Sequence, residues 1–160
     1  MKPTRRTFLL ASGAGALFMA GCGSLPDGDA TGAVMTDQAM GRINAFRTAN
    51  GMPPLKTDRA ASLAALEHAK RMAAARRMAH NIGPGADFGR RMKRQNVALP
   101  AAENIASGQQ SLDGALEAWE VSASHRANTL DRRFSGVGVA VAYDATNGNR
   151  PYWAMVLSGS

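Results

Sequence analysis

Apolar positions along the chain fall into three regimes: an unbroken run from Thr7 to Gly21, helical spacing between residues 36 and 121, and strict alternation after Gly136. Thr36 can cap a helix in which Met40, Ile43 and Phe46 recur at helical spacing with Ala39 behind them. Asn50-Gly51 ends it, and Pro53-Pro54 blocks its resumption. Asp58 can cap a second helix reaching about Met78, with Ser62, Leu66, Ala69 and Ala73 on one face and Leu63 and Met72 flanking. The glycines and proline between Asn81 and Gly85 break the chain before a short third helix, Asp87 to Gln95, with Phe88 and Met92 inward. Pro100 to Gln110 reads as a loop. Ser111 then caps a fourth helix whose stripe is Leu112, Ala115, Leu116 and Trp119.

Beyond Gly136, Val137, Val139, Val141 and Tyr143 alternate with Gly138, Ala140 and Ala142, which is the period of a strand. The segment Asp144 to Asn149 is turn-rich, and Tyr152 to Ser158 supplies a second strand. The small face of the first strand implies close packing under a helix layer. Helices grouped ahead of a small antiparallel sheet predict a layered α+β fold.

Composition changes how the first run is read. The 160 residues carry 19 Lys and Arg against 12 Asp and Glu, a net charge of +7. Lys2, Arg5 and Arg6 stand ahead of the apolar run, which is shorter than the ~20 residues a membrane-crossing helix needs. A charged front and a short apolar stretch predict an export signal over residues 1–21. Thr4-Arg5-Arg6-Thr7-Phe8-Leu9-Leu10 resembles a twin-arginine signal. Met19-Ala20-Gly21-Cys22 resembles a bacterial lipobox, with Met where Leu is usual. The Cys22 thiol would take a diacylglycerol group, with palmitate among the attached chains, and each buried methylene adds about 0.8 kcal/mol of membrane affinity. Gly at position 23, in place of Asp, points to the outer membrane or the cell surface.

Residues 22–35 then read as a flexible tether and 36–160 as the folded domain, a length that suits one core. Without its signal the chain is only +4, too modest to argue for nucleic acid. A single cysteine excludes an intrachain disulfide, so the core alone must hold the fold.

Candidate chemistry rests on three histidines and one glutamate. His68 lies in the second helix without a partner at i+4 and reads as an exposed or partly packed structural residue. His80, Glu103 and His125 fall at element ends, where scaffolds display functional side chains. Two imidazoles could bind a divalent metal, and a carboxylate could orient one of them or activate water. Equally, all three could be structural, because residues this far apart in sequence need not meet.

Six segments occur in an order similar to that of the CAP superfamily of cysteine-rich secretory, antigen 5 and pathogenesis-related 1 proteins. They are Asn44-Ala45-Phe46-Arg47, Gly51-Met52-Pro53-Pro54-Leu55, His80-Asn81, Glu103-Asn104-Ile105-Ala106, Trp119-Glu120-Val121-Ser122 with His125-Arg126-Ala127-Asn128, and Gly136-Val137-Gly138-Val139-Ala140. The likeness spans about residues 36–158 and is greater to the bacterial, SCP-like branch. It implies a three-layer α-β-α sandwich, with a further strand hidden between 96 and 110 or within 126–135. It also implies a cleft lined by His80, Glu103 and His125, with Ser122 where animal members carry a second glutamate. Neither Glu117 nor Glu120 is in register to replace that acid. The resemblance further allows a zinc or similar ion on His80 and His125, loop-bracing or cleft-lining roles for Arg126 and Asn128, and a structural reading of Asn104 and Ile105.

One charge run is independent of the resemblance: eight basic residues between Lys70 and Arg94 against the single acid Asp87. It is a solvated face or a patch for anionic lipid or envelope polymers. The expected function is therefore an extracytoplasmic, lipid-anchored domain that binds a lipid, small ligand or envelope partner without turnover. The alternative is a metal-dependent hydrolase with His80 and His125 as ligands and Glu103 as base. A serine hydrolase through Ser122 or Ser124 has no Gly-x-Ser-x-Gly elbow behind it.

Overall fold

The alternating C-terminal segment forms the centre of the sheet. In the computed structural model, which describes residues 30–159, β4 (Gly136–Asp144) and β5 (Arg150–Ser158) make an antiparallel hairpin in register from Gly136 opposite Ser158 to Asp144 opposite Arg150. The expected export signal, Cys22 and most of the tether lie outside the described residues. Ahead of the hairpin come β1 (Gly32–Val34), α1 (Thr36–Ala49), β2 (Lys56–Thr57), α2 (Arg59–Ala74), α3 (Phe88–Arg94), β3 (Ala101–Ser107), α4 (Leu112–Val121) and α5 (Ala123–Thr129). The strand order is β1-β4-β5-β3, all antiparallel, and β2 adds a short parallel pairing to β4.

The two faces of β4 carry different side chains and so accept different layers. Val137, Val139 and Val141, with Trp153, Met155 and Leu157 of β5, pack against Ala39 and Ile43 of α1 and Ala115, Leu116 and Trp119 of α4. On the other face Ala140, Ala142, Ala154 and Val156 meet the alanines of α2 and Met92 of α3. A Cβ on Gly138 would land on the Ser62 backbone nitrogen, so only glycine lets α2 lie this close to the sheet. The result is the α-β-α sandwich. Both core layers and every strand fall within residues 32–158, so a chain beginning at residue 23 retains the whole core.

Several boundaries differ from the sequence expectation for identifiable reasons. Asp58 caps α2 as predicted, accepting from the Ala60 and Ala61 amides. Thr36 does not cap α1: Met35 occupies that position, and the buried Thr36 hydroxyl bonds Ser62 Oγ at 2.8 Å and accepts from the Val139 amide at 3.0 Å. α2 stops at Ala74, short of Met78, because Arg76 turns into the left-handed region (φ 50°). The Arg77 amide then reaches Met72 O and the Arg76 amide Ala73 O, a Schellman closure made without glycine. Segment 101–107 is strand β3 and not part of a loop, which places the hidden strand in the first of the two expected intervals; within 126–135 the end of α5 reaches Thr129 and turns follow. Gly32–Val34, assigned to the tether, pairs with β4.

Candidate functional site

Consecutive residues of β3 point to opposite faces of the sheet, and β3 is an edge strand. Ile105 joins the α2 layer and Ala106 the α1–α4 layer. Glu103 therefore faces α2 and α3, and Asn104 faces α5. The site is built around this edge from both layers.

Glu103 is held tightly on its own side. Arg91, fully buried on α3, donates from Nη1 to Oε2 at 2.8 Å and from Nη2 to Oε1 at 2.9 Å. His80 Nδ1 lies 2.9 Å from the same Oε1, and the buried His68 Nε2 is 3.6 Å away. Arg91 also donates to the backbone carbonyls of Ala86 and His80, so it fixes the segment that carries His80. Charged groups this deep survive only when paired and hydrogen-bonded, and this network supplies both.

His125 comes from the other side. It lies in the first turn of α5, which follows α4 directly, and its carbonyl accepts from Asn104 Nδ2 at 3.0 Å. Asn128 Nδ2 returns a bond to Asn104 Oδ1 at 2.9 Å, which clamps α5 to β3. An open cleft of about 210 Å³ follows the edge, lined by Met78, Ile105, Ala106, Trp119, Ser122 and His125 among others. Its floor is apolar and its rim carries the hydroxyl and imidazole.

The titrating groups are pushed apart. Burial resists ionisation of Glu103, but hydrogen bonds from His80 and Arg91 outweigh it and hold the carboxyl below its usual range. The hydrogen bond to Glu103 raises His80 against partial burial. Burial lowers His125, and charge on His80 lowers it further. His68 falls to about 4 because burial dominates, and it is neutral at ordinary pH.

Of the four residues expected at the cleft, Ser122 and His125 line it, His80 meets Glu103 at 2.9 Å outside that lining, and Glu103, with its side chain 2% exposed, lies beneath the surface and not on the cleft wall. Ser122 and Ser124 lie 3.5 Å apart through their hydroxyls, and neither bonds the His125 ring among the described residues. Glu120 is engaged elsewhere, by Arg42 at 2.8 and 2.9 Å. Arg126 braces, donating to Asn50 Oδ1 at 2.7 Å with its guanidinium over Phe46.

Sequence reasoning missed Arg91 and misread His68. Arg91 was counted in the basic run, yet it follows Phe88 by three and precedes Met92, so helical period places it on the inward stripe. His68 is fully buried, not half-exposed, and lies four and seven residues after the buried Ala64 and Ala61.

A zinc ion does not fit this set. Protein zinc sites use three or four side chains, and both Glu103 oxygens are occupied by Arg91 and His80. Among the described residues no group of three His, Cys, Asp or Glu side chains could hold a metal.

Comparisons with known proteins agree with the architecture. Residues 40–157 match the family model described as CAP, the cysteine-rich secretory protein family. An extracellular protein containing an SCP domain from Bacillus anthracis superposes with TM-score 0.69 at 27% identity, over 78% of this chain and 40% of that one. An outer surface protein from Borrelia burgdorferi gives 0.68 at 20% identity, over 81% and 98% of the two chains. A cysteine-rich secretory protein from Staphylococcus aureus gives 0.56 at 16% identity, over 78% and 38%. The last two likenesses bear on the fold alone, and this chain spans well under half of the Bacillus and Staphylococcus proteins. No curated protein matches the sequence.

Proposed function

This chain belongs to the cysteine-rich secretory protein (CAP) family, and on that premise we propose that it is an extracytoplasmic binding protein, anchored through a lipidated Cys22. Its cleft over β3 takes a lipid, a small ligand or an envelope partner and releases it unchanged. One observation carries the reading against hydrolysis: Glu103, the only carboxylate paired with His80 among the described residues, is locked in the Arg91 fork with its side chain 2% exposed. A general base must reach the proton it removes directly or through one water, and this carboxylate has no free oxygen to do so. Glu103 instead orients His80. The relative from Bacillus anthracis, an extracellular protein, supports an exported chain, and the anchor reading itself rests on the Met19-Ala20-Gly21-Cys22 string.

The test is made on the protein isolated from its own envelope. Native mass spectrometry is expected to show a retained small molecule that His80→Ala/His125→Ala loses, with no esterase or peptidase turnover in either form. Turnover in the wild type that chelation or the double substitution removes would establish the metal-dependent hydrolase instead. Intact-mass analysis of the N-terminus tests the anchor, with an acylated Cys22 as the expected first residue.

A further inference from the structure

The eight cations between Lys70 and Arg94 do not act as one group. Arg91 is in the core, and Arg71 and Arg94 share Glu67 at 2.9 and 2.5 Å. Arg90 pairs with Asp87 at 3.3 Å and Arg76 with Asp144 at 3.6 Å. Lys70, Arg77 and Lys93 are exposed and make no ion pair among the described residues. The outer surface of α2 and α3 thus keeps a surplus of positive charge. At its edge, four residues past the end of α2 and on the rim of the cleft, stands Met78, 49% exposed beside Arg77.

The chain enters the fold at the same place. Ala30 packs on the α2 side of the core, and Thr31 O accepts from Tyr143 N, one residue from the Asp144 that meets Arg76. From Cys22 to Ala30 is eight residues of chain. Fully extended, that reaches at most about 28 Å.

We propose that the α2–α3 face bearing Lys70 and Lys93, together with Arg77 and Met78 just past the end of α2, docks on an anionic lipid surface, so that the anchored domain lies against its membrane rather than hanging from it. The orientation rests on the Cys22 anchor of the preceding reading; the lipid-binding face itself does not. Cations around an exposed apolar side chain suit a bilayer interface, where charge meets headgroups and the thioether meets acyl chains. A soluble polyanion would use the charge alone.

Non-acylated residues 23–160 are sedimented with vesicles of phosphatidylcholine alone or of equimolar phosphatidylcholine and phosphatidylglycerol. Salt-sensitive binding is expected to the anionic vesicles only. Lys70→Gln/Arg77→Gln/Lys93→Gln should weaken it on the order of 100-fold, from the attraction of each cation to an anionic surface. Lys56→Gln/Arg59→Gln/Arg132→Gln, which removes equal charge at the opposite end of α2, should leave binding within a fewfold. Lys70→Gln/Lys93→Gln, which breaks no contact, serves if the triple variant folds poorly. No binding to anionic vesicles, or equal losses in the two triple variants, would overturn the proposal. Undiminished vesicle binding by Met78→Ser, with equal binding to polyphosphate, would overturn the lipid assignment. Salt-sensitive vesicle binding by a protein whose native Cys22 proves unmodified would sink the anchor and leave the face standing.

Discussion

Arg91 grips both oxygens of Glu103, at 2.8 and 2.9 Å, with the two side chains 0% and 2% exposed. The pair joins α3 to the edge strand β3 and fixes the carboxylate that His80 meets. Removing either partner leaves an uncompensated buried charge. Arg91→Met and Glu103→Leu should each cost about 3–5 kcal/mol, whereas the double substitution should cost less than either. Urea denaturation of the four proteins measures this coupling; additive losses would show that the pair does not act as a unit.

Acid should weaken the fold through His68 before it reaches the carboxylates. Its folded value of about 4 lies below the ordinary 6.5, so the unfolded chain takes up the proton first. Stability therefore falls as pH drops from 6.5 to about 4, by a loss on the order of 3 kcal/mol at most. Glu103, held below its usual range, contributes stability above that range that is lost at still lower pH. His68→Gln should flatten the upper part of the curve, whatever its effect on absolute stability. An unchanged slope between pH 6.5 and 4 would refute the assignment.

The two cleft imidazoles should titrate in opposite directions from the ordinary histidine value. Glu103 raises His80, while burial and the neighbouring His80 charge lower His125. Proton NMR of the ring resonances should separate them, His80 titrating at the higher pH. In Glu103→Gln the His80 value should drop, and in His80→Ala the His125 value should rise. Unmoved His125 resonances would mean that the rings do not sense each other.

Two glycines should respond with opposite sign. Gly138→Ala places a methyl on the Ser62 backbone and should destabilise by about 3 kcal/mol, because α2 must lift from β4. Gly41 lies inside α1 with nothing within 4 Å of an added methyl, so Gly41→Ala should stabilise by about 0.5–1 kcal/mol. Thermal unfolding of the two variants, compared with wild type, checks both.

The strings that carry the family resemblance have mostly structural work in the fold. Asn44 exchanges two hydrogen bonds with the backbone of Leu55, at 3.0 and 2.8 Å. The buried Arg47 donates to Pro53 O, Thr129 O and Asp131 O, tying α1 to the segments on either side. Asn104 and Asn128 clamp β3 to α5. Such residues are legible as a motif, but their partners are set by folding, since hydrogen-bonding capacity carries no address.

What the sequence determined by itself was periodicity. The valine and alanine faces of β4, the caps at Asp58 and Ser111, and the stripe through Trp119 all follow from local spacing and local hydrogen bonds. What only the tertiary structure decided was the fate of buried polar groups. β3 was unreadable because its alternation is filled with Glu103 and Asn104, side chains that belong in a strand interior only once Arg91, His80 and Asn128 are there to receive them. The same contact converted Arg91 from one cation in a surface run into the counter-charge of the cleft. Burial of charge is a property of the assembled neighbours, and no residue carries it alone.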